Sequence, residues 1–373
     1  MVLSSHRLPY NPAVTTDPPI DPIPTPSAPS TPGHLPVLVA PILRLFEPKS
    51  GQVMLDCTVG RGGHAAAIIP HLAPGGRYIG LDVDPSNLEF TRNRLTELAK
   101  QSGVQLDLIH CNFAAARTAL TQLNISRVDL LLADFGFSSN QMSDPQRGFS
   151  FQRNGPLDMR LDPTSPTTAA DLVNEMGEKE LADLIYQYGE DRASRRIARK
   201  IVEARRESPI NTTEQLADVV RLALGMRPDA WKNHPDKPRR PKPGRIDPAT
   251  RTFMALRIAV NGELDVIHRL LAELPALMKP GGIAGLISFH SLEDRPVKQA
   301  FLELAQAKKV ERLTHKPVTA DDEEIAGNPR SRSAKLRVIR FVKKDGKGRA
   351  KGPRAEGPES AGPQAQEHPH DGS

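Results

Sequence analysis

Residues 52–66 read QVMLDCTVGRGGHAA, and residues 76–84, a little further on, read GRYIGLDVD. The first stretch is an apolar run that ends in Asp56 and passes into three glycines. A short buried strand, a tight turn and the start of a helix is the reading this pattern supports. Gly60, Gly62 and Ala65 fit the spacing G-x-G-x-x-A. Glycines at such a turn let the backbone approach a ligand at a helix N-terminus. The second stretch is another apolar strand, ending in Asp82, 20 residues after Gly62. A carboxylate there accepts hydrogen bonds from ribose hydroxyls.

The rhythm continues outward. Helices are expected from about 63 to 71 and from about 86 to 101. Two more strands follow in LDLIH (106–110) and VDLLLADF (128–135). Strands alternating with helices predict an α/β protein with a parallel, doubly wound, Rossmann-like sheet. From about 163 to 231 the text is helical, with no strand. A basic, proline-rich link runs from 232 to 245. A single helix is then expected from about 248 to 277, a strand at IAGLISF (283–289), and another at KLRVIRFV (335–342). The resulting division has a Pro-rich arm at 1–33 and a catalytic domain built from 34–162 and 240–343. The catalytic domain is interrupted by a helical insertion with its linker at 163–239, and a tail occupies 344–373.

Composition narrows the class. Of 35 prolines, nine precede Gly33, so the arm can form neither ladder nor helix. The longest apolar runs are far short of the roughly 20 residues that span a bilayer. Only Cys57 and Cys111 are present, too few for a disulfide scaffold or a cysteine-built zinc site. No apolar leader precedes the prolines, and a cytoplasmic location is the expectation. Lysines and arginines number 50 against 44 aspartates and glutamates, a mild excess that permits a nucleic-acid partner.

The glycine loop suits NAD and S-adenosylmethionine (AdoMet) alike. Asp56 before the loop, the bulky His64 within it and Asp134 at the end of the fourth strand favour AdoMet. That molecule carries an ammonium and a sulfonium and no phosphate, so a rim of carboxylates attracts it and repels a pyrophosphate. Ligands of doubly wound sheets lie beyond the carboxyl ends of the strands, so Asp56, Asp82 and Asp134 are expected to converge there. The polar loop Ser138, Ser139, Asn140 and Gln141 follows. Arg147, Phe149, Phe151, Asp158 and Arg160 come next, and arginines beside aromatics can clamp a splayed base. Ser291 and Asp294 suggest a helix start in LISFHSLEDR (286–295), with His290 and Ser288 as substrate contacts. A metal held by His290, Glu293 and Asp294 lacks further ligands, and none is expected. Arg192, Arg195, Arg196 and Arg199 share one helical face, and Arg330, Arg332, Lys335, Arg337 and Arg340 form a second basic stretch suited to phosphates. An NAD-dependent oxidoreductase and a non-catalytic RNA-binding assembly protein are the rival readings.

Ordered motifs from residue 34 to about 342 together resemble one family. They include HLPVL (34–38), DCTVGRGGH (56–64), ADFGFSSNQ (133–141), RGFSFQRNGPLDMR (147–160), DPATRTFMALRIAVNGEL (247–264), ISFHSLEDRPVK (287–298) and NPRSRSAKLR (328–337). The chain is similar to the RsmH (MraW) family, bacterial AdoMet-dependent methyltransferases that modify N4 of a decoding-centre cytidine in 16S ribosomal RNA. The resemblance implies a Rossmann-like domain with a helical domain inserted after the fourth strand, a small-subunit RNA partner, no membrane, and room for a homodimer. It implies that Gly62, Gly63 and His64 contact AdoMet, that Asp82 takes the ribose, and that Phe113 lies against the adenine. Asp134 and Gln141 complete that pocket. For catalysis Asp134, Ser138 and Asn140 are the candidates. For RNA they are Arg147, Phe149, Arg160, His290, Arg195, Arg199 and Arg337.

Overall fold

In the computed structural model, residues 35–226 and 247–343 are described. The Pro-rich arm, the basic link at 232–245 and the tail from 344 lie outside the described residues. The sheet comprises β1 (Val53–Asp56), β2 (Arg77–Asp82), β3 (Gln105–His110), β4 (Val128–Asp134), β5 (Met278–Ser288), β6 (Val310–Arg312) and β7 (Lys335–Phe341). Its order is β3-β2-β1-β4-β5-β7-β6. Strands β3 to β5 run parallel, as the alternating rhythm requires. The all-parallel expectation fails at one edge: β7 is antiparallel to both β5 and β6. A tight return over 307–309 brings α12 (Ser291–Gln306) back into β6, which forms the edge, and β7 then inserts between β5 and β6.

Period-two alternation covers both faces of the sheet. On one face Leu55 and Leu131 pack with α4 (Ala116–Gln122), α11 (Glu263–Leu277) and α12. On the other, Met54, Leu130 and Leu132 pack with α1 (Val39–Phe46), α2 (Gly63–Ile68) and α3 (Pro85–Gln101). Inside the sheet the Tyr78 hydroxyl donates to Asp56 at 2.6 Å.

Between β4 and β5 the chain forms α5 (Ser139–Ser143), α6 (Ala169–Glu175), α7 (Glu178–Gly189), α8 (Ser194–Glu207) and α9 (Thr213–Ala223). The apolar stripes of α6 to α9 form a third cluster, including Leu181, Ile185, Ile197, Ile201 and Leu216. Where one helix was expected at 248–277 there are two, α10 (Ala249–Asn261) and α11, because Gly262 adopts a positive φ of 57° and ends α10. The break lets the two helices serve different layers. Phe253 and Leu256 of α10 belong to the helical cluster, whereas Ile267 and Leu270 of α11 belong to the sheet. The last short helix is α13 (Asp322–Gly327). Among the described residues no helix is long and apolar enough to cross a membrane.

Candidate active site

The carboxyl ends of β1, β2, β4 and β5 open into one cavity of about 370 Å³, within the usual range for a small-molecule site. The glycine loop forms one wall. Gly60 donates its N–H to Asp82 Oδ2 at 2.8 Å, and Asp84 donates its N–H to Oδ1 of the same carboxylate at 2.8 Å. Asp82 thus ties the first βα loop to the second while it lines the cavity. Burial pushes its carboxyl up to about 6, against the pull of those two N–H groups. Gly63 also lines the wall, and a Cβ there would meet Pro36 at 3.0 Å. His64 lies beside it, buried, with Nε2 bonded to the Val37 carbonyl at 2.8 Å.

Asp84 caps α3 and gathers a second network. Gln141 Nε2 and Arg147 Nη1 both donate to its Oδ2, at 2.9 and 2.8 Å. Burial alone raises its carboxyl, but the bonds from Ser86, Gln141 and Arg147 outweigh it and hold the group below the usual carboxylate value.

Asp134, at the end of β4, is anchored by its own N–H on Thr58 Oγ1 at 2.7 Å. Its Oδ1 is buried and has no hydrogen-bond partner. Burial pushes its carboxyl up to about 7; His64 and Arg330 oppose the shift, and Asp56 and Glu293 reinforce it. Ser138 Oγ, His290 Nδ1 and Arg61 Nε are likewise buried without partners, and all four residues line this cavity. Buried polar atoms are normally bonded, so such a concentration marks a place where a ligand supplies the partners.

The far wall carries charge. Arg257 makes a two-pronged ion pair with Glu263 at 2.8 and 2.9 Å and lies 3.3 Å from His290 Nε2. His290 Nε2 is also 3.1 Å from Glu293. Burial would raise the Glu293 carboxyl, but His290 and Arg257 more than offset this and keep it ionised. Ligand atoms of Glu263, His290 and Glu293 lie within 4.8 Å of one another, yet the Arg257 guanidinium already contacts Glu263 and His290. Asp294, the third member of the metal set weighed from sequence, is instead held by Arg337.

The expected cofactor residues mostly meet here: Gly63, His64, Asp82, Phe113, Asp134 and Gln141 all line the cavity. Ser138 and His290 line it as well. Several expectations need correcting. Gly62 is absent from the wall; its φ of 72° starts α2, and a Cβ would strike Leu95 at 2.9 Å, so it serves helix packing. Asp56 turns into the sheet, bonded to Tyr78 and the Thr58 N–H. Asn140 turns towards α3, donating to Asn87 Oδ1 at 3.2 Å.

The arginines chosen for RNA divide. Arg147 donates to Asp84 and to the carbonyls of Arg160 and Leu161. Arg160 binds Asp158 twice and the carbonyls of Pro163 and Ser165. Arg337 is buried in a two-pronged pair with Asp294 at 2.7 and 2.9 Å. These three brace the fold. Phe149 stacks on Phe137, centroids 5.3 Å apart, within the helical cluster. Arg195 and Arg199 remain exposed on α8. The residue reading missed Thr58, Arg61, Phe137, Arg257, Glu263 and Arg330 as wall residues. Thr58, Arg61 and Phe137 belong to the two loops already singled out and could have been included from position alone, whereas Arg257, Glu263 and Arg330 reach the cavity only through tertiary packing. The helix start is also one residue earlier than expected: the Phe289 and His290 N–H groups donate to Glu293 Oε2.

A glycine wall without room for a side chain, a rim with Asp82 and an unpartnered Asp134, and an open end for an acceptor fit AdoMet. The fold and cavity are those of a Rossmann-like, AdoMet-dependent methyltransferase. A family model described as the MraW methylase family matches residues 31–342. A protein of Sorangium cellulosum named "Ribosomal RNA small subunit methyltransferase H" is 45% identical over 319 residues, 86% of this chain and 94% of its own. A protein of the same name from Acidobacterium capsulatum is 47% identical over 305 residues, 82% of this chain and 97% of its own. The chain belongs to the MraW methylase family.

Proposed function

We propose that this enzyme transfers the methyl group of AdoMet to N4 of a cytidine in the decoding centre of 16S ribosomal RNA, on the small ribosomal subunit. That it is an AdoMet-dependent methyltransferase of ribosomal RNA follows from its family and from the names of its relatives. Position and atom are the finer reading. The observation that carries the chemistry is the unpartnered Asp134 Oδ1 in the cavity wall.

AdoMet, when bound, supplies an electrophilic methyl group. Asp82 would hold its ribose, Phe113 its adenine, and Gly63, His64 and Gln141 the rest of its pocket. The lone pair of the cytosine amine is delocalised into the ring, so alignment at near-attack distance provides much of the rate. Asp134 Oδ1 accepts a hydrogen of that amine and turns the lone pair towards the methyl. Ser138 Oγ and His290 Nδ1 supply further polar contacts to the base. The proton leaves after transfer, so no strong base is needed. The target base must first leave its stack.

The segment at 163–239, a helical domain with its basic linker, serves in this reading as an insertion whose Arg195 and Arg199 meet RNA phosphates. The site of action is the cytoplasm, where the subunit is assembled. Light scattering of the purified protein decides between monomer and homodimer. The function itself is tested by mass spectrometry of the decoding-centre segment of 16S RNA from cells with and without this protein. N4-methylation that persists without it overturns the proposal.

A further inference from the structure

Phe90 on α3 keeps 42% of its surface exposed, although its neighbours Leu88, Thr91 and Leu95 are buried. An exposed aromatic alone is ordinary; its surroundings here are not. The Arg61 guanidinium lies over the ring, 4.3 Å from its centroid. Arg94, one helical turn on, donates Nη1 to the Arg61 carbonyl at 3.0 Å. Among the described residues, arginine ion pairs occur at positions such as Arg77, Arg117 and Arg147, while neither Arg61 nor Arg94 has a carboxylate partner. Arg61 also lines the cavity, where its Nε is buried without a partner. One residue of the glycine loop therefore touches the methyl-transfer cavity and an exposed aromatic ring at once.

We infer that Phe90, Arg61 and Arg94 form an RNA-binding platform at the edge of the cavity, which holds a nucleotide flanking the target. The inference rests on the reading of the substrate as RNA. Extruding a base from its stack leaves its neighbours without a stacking partner. An exposed aromatic face replaces that partner whatever the base, and an arginine beside it adds a cation for the adjoining phosphate. Uncompensated guanidinium groups next to an exposed ring are the chemistry of single-stranded nucleic acid recognition. This platform is separate in sequence from the basic face of α8.

The test uses full-length enzyme and small ribosomal subunits isolated from cells that lack it. Phe90→Ala should raise KM for the subunit about tenfold, the size of a lost base stack. Both kcat and the dissociation constant for AdoMet should stay unchanged, and Phe90→Trp should restore KM. Arg94→Gln should reduce the slope of log affinity against log salt by about 0.7–0.9, the value of one phosphate contact. An unchanged KM in Phe90→Ala, or a loss matched by an equal loss of AdoMet affinity, overturns the platform. A wild-type enzyme that binds AdoMet but neither binds nor methylates the subunit overturns the substrate reading, and the platform with it.

Discussion

Replacing Asp134 by Asn should make the enzyme more stable and much less active, in opposite directions from one atom. Burial lifts the Asp134 carboxyl from an ordinary 3.8 to about 7. The folded protein therefore holds this proton more tightly than the unfolded chain. The group's contribution to stability is greatest below pH 4 and is lost as the pH rises from 4 to 7. About three pKa units correspond to about 4 kcal/mol at most, and solvent reaching the cavity lowers this to about 2–3 kcal/mol. The amide leaves one polar group without a partner, at a cost of about 1 kcal/mol. The ligand-free variant should thus gain about 1–2 kcal/mol at pH 8, or about 2–6 °C in Tm. The gain should fade towards pH 4. Methylation should fall about 100-fold, a typical loss when the reacting amine is misaligned, and wild-type activity should rise as the pH passes through 7. Thermal unfolding at pH 8 and pH 4.5, with a methylation assay beside it, measures both effects. Full activity in a variant destabilised equally at both pH values would refute the reasoning.

Asp82→Ala removes the acceptor of two backbone N–H groups as well as the proposed ribose contact, so AdoMet affinity measured by calorimetry should fall at least tenfold, each such bond to a charged group being worth about 1.5–3 kcal/mol. Arg337→Ala strands Asp294 in a part-buried site and should cost about 2–4 kcal/mol in urea unfolding. By contrast, Arg195→Ala with Arg199→Ala should leave stability unchanged and flatten the salt dependence of RNA binding by about 0.7–0.9 per residue. Gly62→Ala forces a side chain into a positive φ against Leu95, and should lower Tm through a loss of about 1–3 kcal/mol.

Six of the seven strands were legible as short runs bounded by turn residues, and the carboxylates closing β2 and β4 follow from where those runs end; β6, only Val310–Arg312 with two charged residues, carries no such signal. The glycine loop was legible as a motif, yet it did not say which glycine meets the ligand. Gly62 takes a positive φ of 72° against Leu95, whereas Gly63 faces Pro36 on the cavity wall, and nothing in the motif separates the two. Arginines were the least legible. Sequence shows their clustering but not the carboxylates that consume them: Asp84 lies 63 positions from Arg147, and Asp294 lies 43 from Arg337. The antiparallel edge was hidden for a similar reason. The KLRVIRF of β7 mixes apolar and basic residues and suggests a strand but not its direction; the chain leaves β6, which runs parallel to β5, and turns back between the two. The wall formed by Arg257 and Glu263 depends on the break at Gly262, which an otherwise helical text from 248 to 277 concealed.

The central claim is that the cavity at the ends of β1, β2 and β4 delivers a methyl group to a cytidine amine. Its most direct test is to incubate the purified enzyme with methyl-labelled AdoMet and small subunits from cells lacking it, digest the RNA, and separate the nucleosides by mass spectrometry. The account predicts label in N4-methylated cytidine for the wild type and almost none for Asp134→Asn. Label on ring carbon C5, on a ribose hydroxyl or on another base would contradict it.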